Sequence, residues 1–156
     1  MNKKQILIVS SEFPPQPGGI GNHAYNLAKQ LSFSNYSVQV ITDQRSITGK
    51  MEQDFDEALP FEIFRVKLRQ WRVFMYLNRL TLLFKRIKSS DFIIASGKFS
   101  LWIVALASIL YKRRYIAIVH GTEVNFKQPL LKFSIAQALN RFSKIIAVSR
   151  FTKSLV

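Results

Sequence analysis

The stretch Gln5–Leu31, QILIVSSEFPPQPGGIGNHAYNLAKQL, constrains the fold of this chain more than any other. Gln5 to Ser10 is a short Ile, Leu and Val run bounded by polar residues, the pattern of a strand buried on both faces. A loop with Pro14, Pro15 and Pro17 follows, then Gly18, Gly19 and Gly21, then a helical pattern from about Ile20 to Phe33. Glycines let backbone approach an anion closely, and a helix N-terminus presents unpaired N–H groups and a positive dipole end to it. Strand, glycine-rich turn and helix therefore make a phosphate-cradle geometry. The prolines stiffen the loop into a preformed lip over a cleft.

The same alternation recurs downstream. Strand patterns fall at Ser37–Thr42, Phe61–Val66, Asp91–Ser96, Tyr115–Val119 and Lys144–Val148. Helical patterns fall at Trp71–Lys88, Lys98–Tyr111 and Leu130–Phe142, and the acidic stretch Met51–Leu59 reads as a loop or a short helix. Alternating strands and helices predict an α/β domain, a Rossmann-like open parallel sheet with helices on both faces, in the order 3-2-1-4-5-6. A chain of 156 residues with 48% hydrophobic residues is about one domain and can bury a core. The absence of cysteine excludes a disulfide framework and any thiolate metal site, and fits a cytoplasmic location. No other metal cluster is legible. The longest apolar run, Leu101 to Tyr111, has eleven residues, short of the roughly twenty that a membrane-spanning helix needs.

Net charge is +14, and the acids cluster at Glu52, Asp54, Asp56, Glu57 and Glu62. A basic face suits nucleic acid, an anionic membrane surface or a phosphorylated substrate. In the helix after residue 71, Val73, Leu77, Leu80, Phe84 and Ile87 recur at helical spacing and predict the stripe that packs on the sheet. Arg72, Arg79 and Arg86 align on a neighbouring face with Arg69 one turn upstream, and Tyr76, Leu83, Met75 and Leu82 lie among or beside them. That mixture predicts a membrane-surface face, with arginines on headgroup phosphates and apolar tips in the acyl boundary. Nucleic-acid binding has charge alone in its favour, since no reading motif is present and the aromatics sit at core spacing.

Gly19-Ile-Gly21-Asn-His-Ala24 also fits a dinucleotide fingerprint, with Asp43 placed as a ribose-binding acid for NAD(P). In that fingerprint the glycines come directly off the strand, whereas here the residues from Ser11 to Gly18 intervene.

The order Glu12, Phe13, Pro14, Pro15, Gly18, Gly19, Gly21, Leu27, Ala28, Leu31 resembles the first loop and helix of GT-B glycosyltransferases of family 4, which are retaining and sugar-nucleotide-dependent. His120-Gly121-Thr122-Glu123 looks like that family's H-G-S/T-D/E turn, and Val148, Ser149, Thr152 and Val156 resemble a third landmark of it. The resemblance implies the acceptor-side half of a two-domain enzyme whose nucleotide-sugar domain, with an E-x7-E motif, lies outside this chain. It implies that His120 hydrogen-bonds the transferred sugar as the catalytic residue. Gly18, Gly19, Gly21, Glu12, Ser96, Gly121, Glu123 and Ser149 are implied donor- or acceptor-binding positions. A UDP- or GDP-sugar is the implied substrate and a glycan or lipid-linked molecule the implied acceptor, with the protein peripheral on the inner face of the plasma membrane. These chemical implications come from the resemblance. A histidine at the carboxyl end of a parallel strand also lies where open α/β sheets bind ligands.

Overall fold

The computed structural model describes residues 3–67 and 72–155. Its strands are β1 (Gln5–Ser10), β2 (Ser37–Asp43), β3 (Glu62–Val66), β4 (Phe92–Ser96), β5 (Arg114–Val119) and β6 (Lys144–Ala147). Its helices are α1 (Gly19–Phe33), α2 (Lys50–Glu57), α3 (Arg72–Ile87), α4 (Lys98–Leu110), α5 (Pro129–Leu139) and α6 (Arg150–Ser154). The strands form one parallel sheet in the order β3-β2-β1-β4-β5-β6, as the alternation predicts.

Register explains the core. Ile8 of β1 stands beside Val40 of β2 and Ile94 of β4, and each projects to the same side. With Ile6, Val38 and Ile118 they meet Ala24 and Ala28 of α1, together with Phe13 and Phe61. Leu7, Val9, Ile41, Ile93, Ala95, Ala117 and Val119 point the other way, against Leu83 and Ile87 of α3, Leu101 and Val104 of α4, and Ile135 and Leu139 of α5. Two-residue alternation thus gives two cores, one on each face of the sheet. Burying a side chain such as Leu7 or Ile8 contributes about 1.5–3 kcal/mol. β6 stands apart, because Lys144, Ile145 and Ile146 are all exposed at the free edge.

The acidic stretch after Lys50 is helical and puts Phe55 beside Tyr25 on the α1 side. Helix α5 starts on Pro129, whose fixed φ and missing N–H suit the first turn, and stops at Leu139 instead of Phe142. Phe142 still reaches the core through the turn that follows.

Helix α3 is rotated from the orientation that its periodicity predicts. The C-terminal half of the predicted stripe holds, with Ile87 fully buried and Phe84 packed against the core, whereas Val73 and Leu77 are exposed and Leu83, Met75 and Leu82 take the inner positions instead. The arginine face is the inner face. Arg79 is 4% exposed and its guanidinium grips the Asp43 carboxylate at the end of β2, with Tyr76 at 5.6 Å. Arg86 lies over the Phe64 ring of β3 at 3.9 Å. Arginine stems cover apolar surface as aliphatics do, and a carboxylate at a strand end gives the buried charge a partner. Arg79 and Arg86 are therefore not membrane-facing residues. Arg69 lies outside the described residues, as does the side chain of Arg72.

Candidate functional site

The candidate site is the carboxyl edge of the sheet, where β1, β4 and β5 end side by side. Ser10 is followed by the loop Ser11–Gly18 and the start of α1. Ser96 is followed by Gly97, whose φ of +87° turns the chain into α4 against the Ile20 side chain. Val119 is followed by His120 and by Gly121, whose φ of +110° lets the turn double back. A Cβ at Gly121 would be strained by that backbone and would press on the Thr152 hydroxyl at 3.2 Å.

His120 is half-buried and its Nε2 lies 2.9 Å from the hydroxyl of Ser96, which is fully buried. The His23 ring, one turn into α1, meets the His120 ring edge-on with centroids 5.1 Å apart. These are both of the histidines in the chain. Burial holds the His120 imidazole below its ordinary pKa; the Glu123 carboxylate opposes that shift and His23 adds to it. A neutral imidazole has one donor and one acceptor nitrogen, which fits it to hydroxyl-rich ligands.

Glu123 is withdrawn from the cleft. It is 1% exposed, its Oε1 accepts the His120 backbone N–H at 2.7 Å, and its Oε2 accepts the Thr122 hydroxyl at 3.1 Å. It fixes the turn that aims His120 instead of offering a carboxylate to a ligand. Ser149 is exposed, and its hydroxyl caps α6 by accepting the Thr152 N–H at 3.0 Å.

The glycines divide the work. Gly21 is buried where α1 crosses the loop, and a Cβ there would lie 3.0 Å from the Phe13 nitrogen. A Cβ at Gly18 would fall 2.5 Å from Oε2 of Glu12, so this carboxylate lies against the glycine turn. Gly19 faces open space, which leaves its backbone accessible to a ligand. The loop is clamped from β2 and β3. Arg65 donates to the Pro14 carbonyl at 2.6 Å and to both oxygens of Asp56 at 2.7 Å, and Arg45 donates to the Pro17 carbonyl at 3.3 Å. Asp43, the candidate ribose-binding acid of the dinucleotide reading, is committed to Arg79 instead. Burial is the main influence on its carboxyl and raises its pKa, against the opposing pull of Arg79.

The family model described as Glycosyltransferase Family 4 matches residues 17–156. The chain belongs to glycosyltransferase family 4. The match contains Gly18, Gly19, Gly21, His23, Ser96 and His120, while Glu12 lies before it. Among curated proteins no significant match is found. Among solved structures, HepE of Anabaena in complex with UDP and glucose is 18% identical over 97% of this chain and 40% of its own, with a TM-score of 0.68. The same protein in complex with UDP-glucose gives 18% identity, 97% and 39% coverage, and a TM-score of 0.68. A putative UDP-N-acetylglucosamine 2-epimerase of Listeria monocytogenes is 12% identical over 99% of this chain and 42% of its own, with a TM-score of 0.66. At these identities the likeness establishes the fold, that of one half of a GT-B architecture. The chain spans about 40% of the length of these structures.

Within this family-4 domain the fold brings together Ser96, His120, Gly121 and the Gly18–Gly19 turn, and withdraws Glu123, while Ser149 stays exposed with its hydroxyl capping α6. It adds His23, Arg45 and Arg65. A histidine four residues past a glycine pair reads as one more polar position on α1, and only the meeting of α1 with the end of β5 reveals it. Arg45 and Arg65 sit at and beyond strand ends with no motif around them.

Proposed function

We propose that this chain is the acceptor-side domain of a sugar-nucleotide-dependent retaining glycosyltransferase. The observation that carries the reading is the family-4 match over 17–156 together with the position of His120, held neutral between Ser96 and His23 beside the open Gly19 turn. The HepE complexes hold UDP and UDP-glucose, so a UDP-sugar is the first donor to test, with a GDP-sugar as the alternative. In this reading a second domain holds most of the donor, and the Gly18–Gly19 turn approaches its diphosphate across the cleft. A free ring nitrogen of His120 hydrogen-bonds the transferred sugar near its anomeric carbon, where charge develops as the bond to the leaving diphosphate breaks. Glu123 serves by fixing the turn, and Glu12 by lining the glycine loop. The acceptor is an envelope glycan or a lipid-linked molecule at the inner face of the plasma membrane.

The test is release of UDP from UDP-glucose, or of GDP from GDP-mannose, by the protein in its full natural length, with and without lipid-linked acceptor. Release is expected, with His120→Ala slowing it by about a hundred-fold or more. Residues 1–156 alone are expected to transfer no sugar. Lack of turnover with any nucleotide sugar, or unchanged turnover in His120→Ala, overturns the reading.

A further inference from the structure

Strand register places Ser96 of β4 beside Ile118 of β5. Ser96 and His120, two residues past Ile118, therefore lie on the same side of the sheet, the side that α1 covers. Their side chains meet at 2.9 Å, Ser96 Oγ against His120 Nε2. Ser96 is fully buried, and Nε2 is the only hydrogen-bond partner of its hydroxyl among the described residues. Glu123 takes the backbone N–H of His120 and leaves the ring alone. Nδ1, the other ring nitrogen, has no partner among the described residues and stays accessible. A serine hydroxyl has one hydrogen to donate and lone pairs to accept with, and a neutral imidazole has one donor and one acceptor nitrogen. Two arrangements of the contact are open, and burial separates them. If Nε2 donates to Ser96, the serine hydrogen is buried with nothing to receive it. If Ser96 donates to Nε2, every donor in the contact is used and only a serine lone pair is left over. An orphaned buried donor is the costlier fault.

We propose that Ser96 is a positioning residue that fixes the tautomer of His120: it donates to Nε2, so the ring proton resides on Nδ1 and serves the cleft as an N–H donor. The same contact resists formation of the imidazolium, because a protonated Nε2 would force the buried hydroxyl to turn its hydrogen away. Burial of the ring works in the same direction, with Glu123 opposing it and His23 adding to it. Ser96, fully buried, acts through His120 and not on a ligand. His120 thus offers a neutral donor. It holds an oxygen that has a lone pair to give, and with Nδ1 already protonated it is no general base at that nitrogen. In the transferase reading, on which this last consequence rests, the oxygen is a hydroxyl of the transferred sugar, and the bond orients the sugar without taking a proton from it.

The experiment is nitrogen NMR of the protein in its full natural length, isotope-labelled at its histidine rings and free of sugar nucleotide, at about pH 8, where an ordinary histidine is neutral. Bare and protonated ring nitrogens resonate in separate ranges, and the signals that vanish in His120→Asn are those of His120. In the unaltered protein Nδ1 is expected in the protonated range and Nε2 in the bare range. In Ser96→Ala the Nδ1 signal should shift toward the bare range and the Nε2 signal toward the protonated one. Circular dichroism and thermal melts establish that the variant is folded; if it is not, the spectrum of the unaltered protein carries the test by itself. A proton on Nε2 in the unaltered protein overturns the proposal, and so does a folded Ser96→Ala whose His120 signals match the unaltered ones. No sugar nucleotide enters the measurement, so its failure leaves the transferase reading standing, and a failure of turnover leaves the tautomer standing.

Discussion

The two faces of the sheet are built by the same alternation of apolar residues, yet the layers covering them turn different chemistry outward. On the α1 and α2 side the surroundings of the core are polar and often acidic. Arg65 and Arg45 clamp the proline loop, and Glu52 accepts the N–H groups of Arg45 and Ser46 at 2.9 and 2.7 Å. On the α3–α5 side the outer surface carries no acid and is lined with Phe and Leu. Core packing dictates only the inward positions of a helix. The outward ones are free, so what they carry reports the surroundings that the protein meets. Here one layer supports the candidate site, and the other turns Phe74, Leu77, Leu106, Leu110, Leu130 and Phe133 outward.

Substitutions can break this comparison or sharpen it. The largest effect is expected at Arg79, the inner residue of α3. Arg79→Ala strands the Asp43 carboxylate without its partner and should cost about 3–5 kcal/mol in urea unfolding. A loss under about 1 kcal/mol would mean that α3 does not seat by its arginine face. Next comes the inside–outside contrast within the same helix. Leu83→Ala should cost about 2–5 kcal/mol, whereas Leu77→Ala should stay within about 0.5 kcal/mol. Equal costs would reverse the assignment of faces.

On the opposite side, Arg65→Ala removes the hydrogen bonds to Pro14 and Asp56 and should cost about 2 kcal/mol. It should also speed proteolytic cutting within Ser11–Gly18; an unchanged digestion pattern would show that the loop holds its shape without the clamp.

The smallest effects are those of pH, and they come from the site side. Burial works against the charged Glu52 carboxylate, but hydrogen bonds from the Ser46 hydroxyl and from the backbone of Ser46 and Arg45 outweigh it and hold its pKa at about 2 against 4.5. Its contribution is complete above 4.5 and lost as pH falls toward about 2, so Glu52→Gln should flatten acid unfolding in that window. The His120 pKa lies below 6.5 in the folded chain, so the unfolded chain takes up its proton first. Stability should therefore decline as pH drops from 6.5, and less so in His120→Asn. NMR titration of the His120 ring with a midpoint above 6.5 would contradict the burial that sets this sign.

Much of the architecture was legible because period-2 and period-3.6 patterns are local. Ile6, Leu7, Ile8 and Val9 announce a strand covered on both sides, and the parallel order follows from alternating elements with few permitted crossovers. The Gly18–Gly21 turn and the His120–Glu123 turn were visible for the same reason. The rotation of α3 was not, because its residues from 73 to 87 support more than one apolar stripe. Deciding between them required the Asp43 carboxylate and the Phe64 ring, which come from other strands. Glu123 sits in a motif position, and only its hydrogen bonds reveal that it fixes a turn, whereas a serine just ahead of the last helical segment already reads as the cap that Ser149 proves to be.

The order of residues by itself determined the alternating strands and helices, the two-sided core, the place of the glycine turn and the family. Tertiary structure alone decided which face of α3 lies inside, that His23 joins His120, and that three acid-free helices share one outer surface. The physical reason is range. Backbone preference and burial pattern act between near neighbours in the chain, whereas a charge pair, a ring contact or a shared surface exists only once distant segments meet.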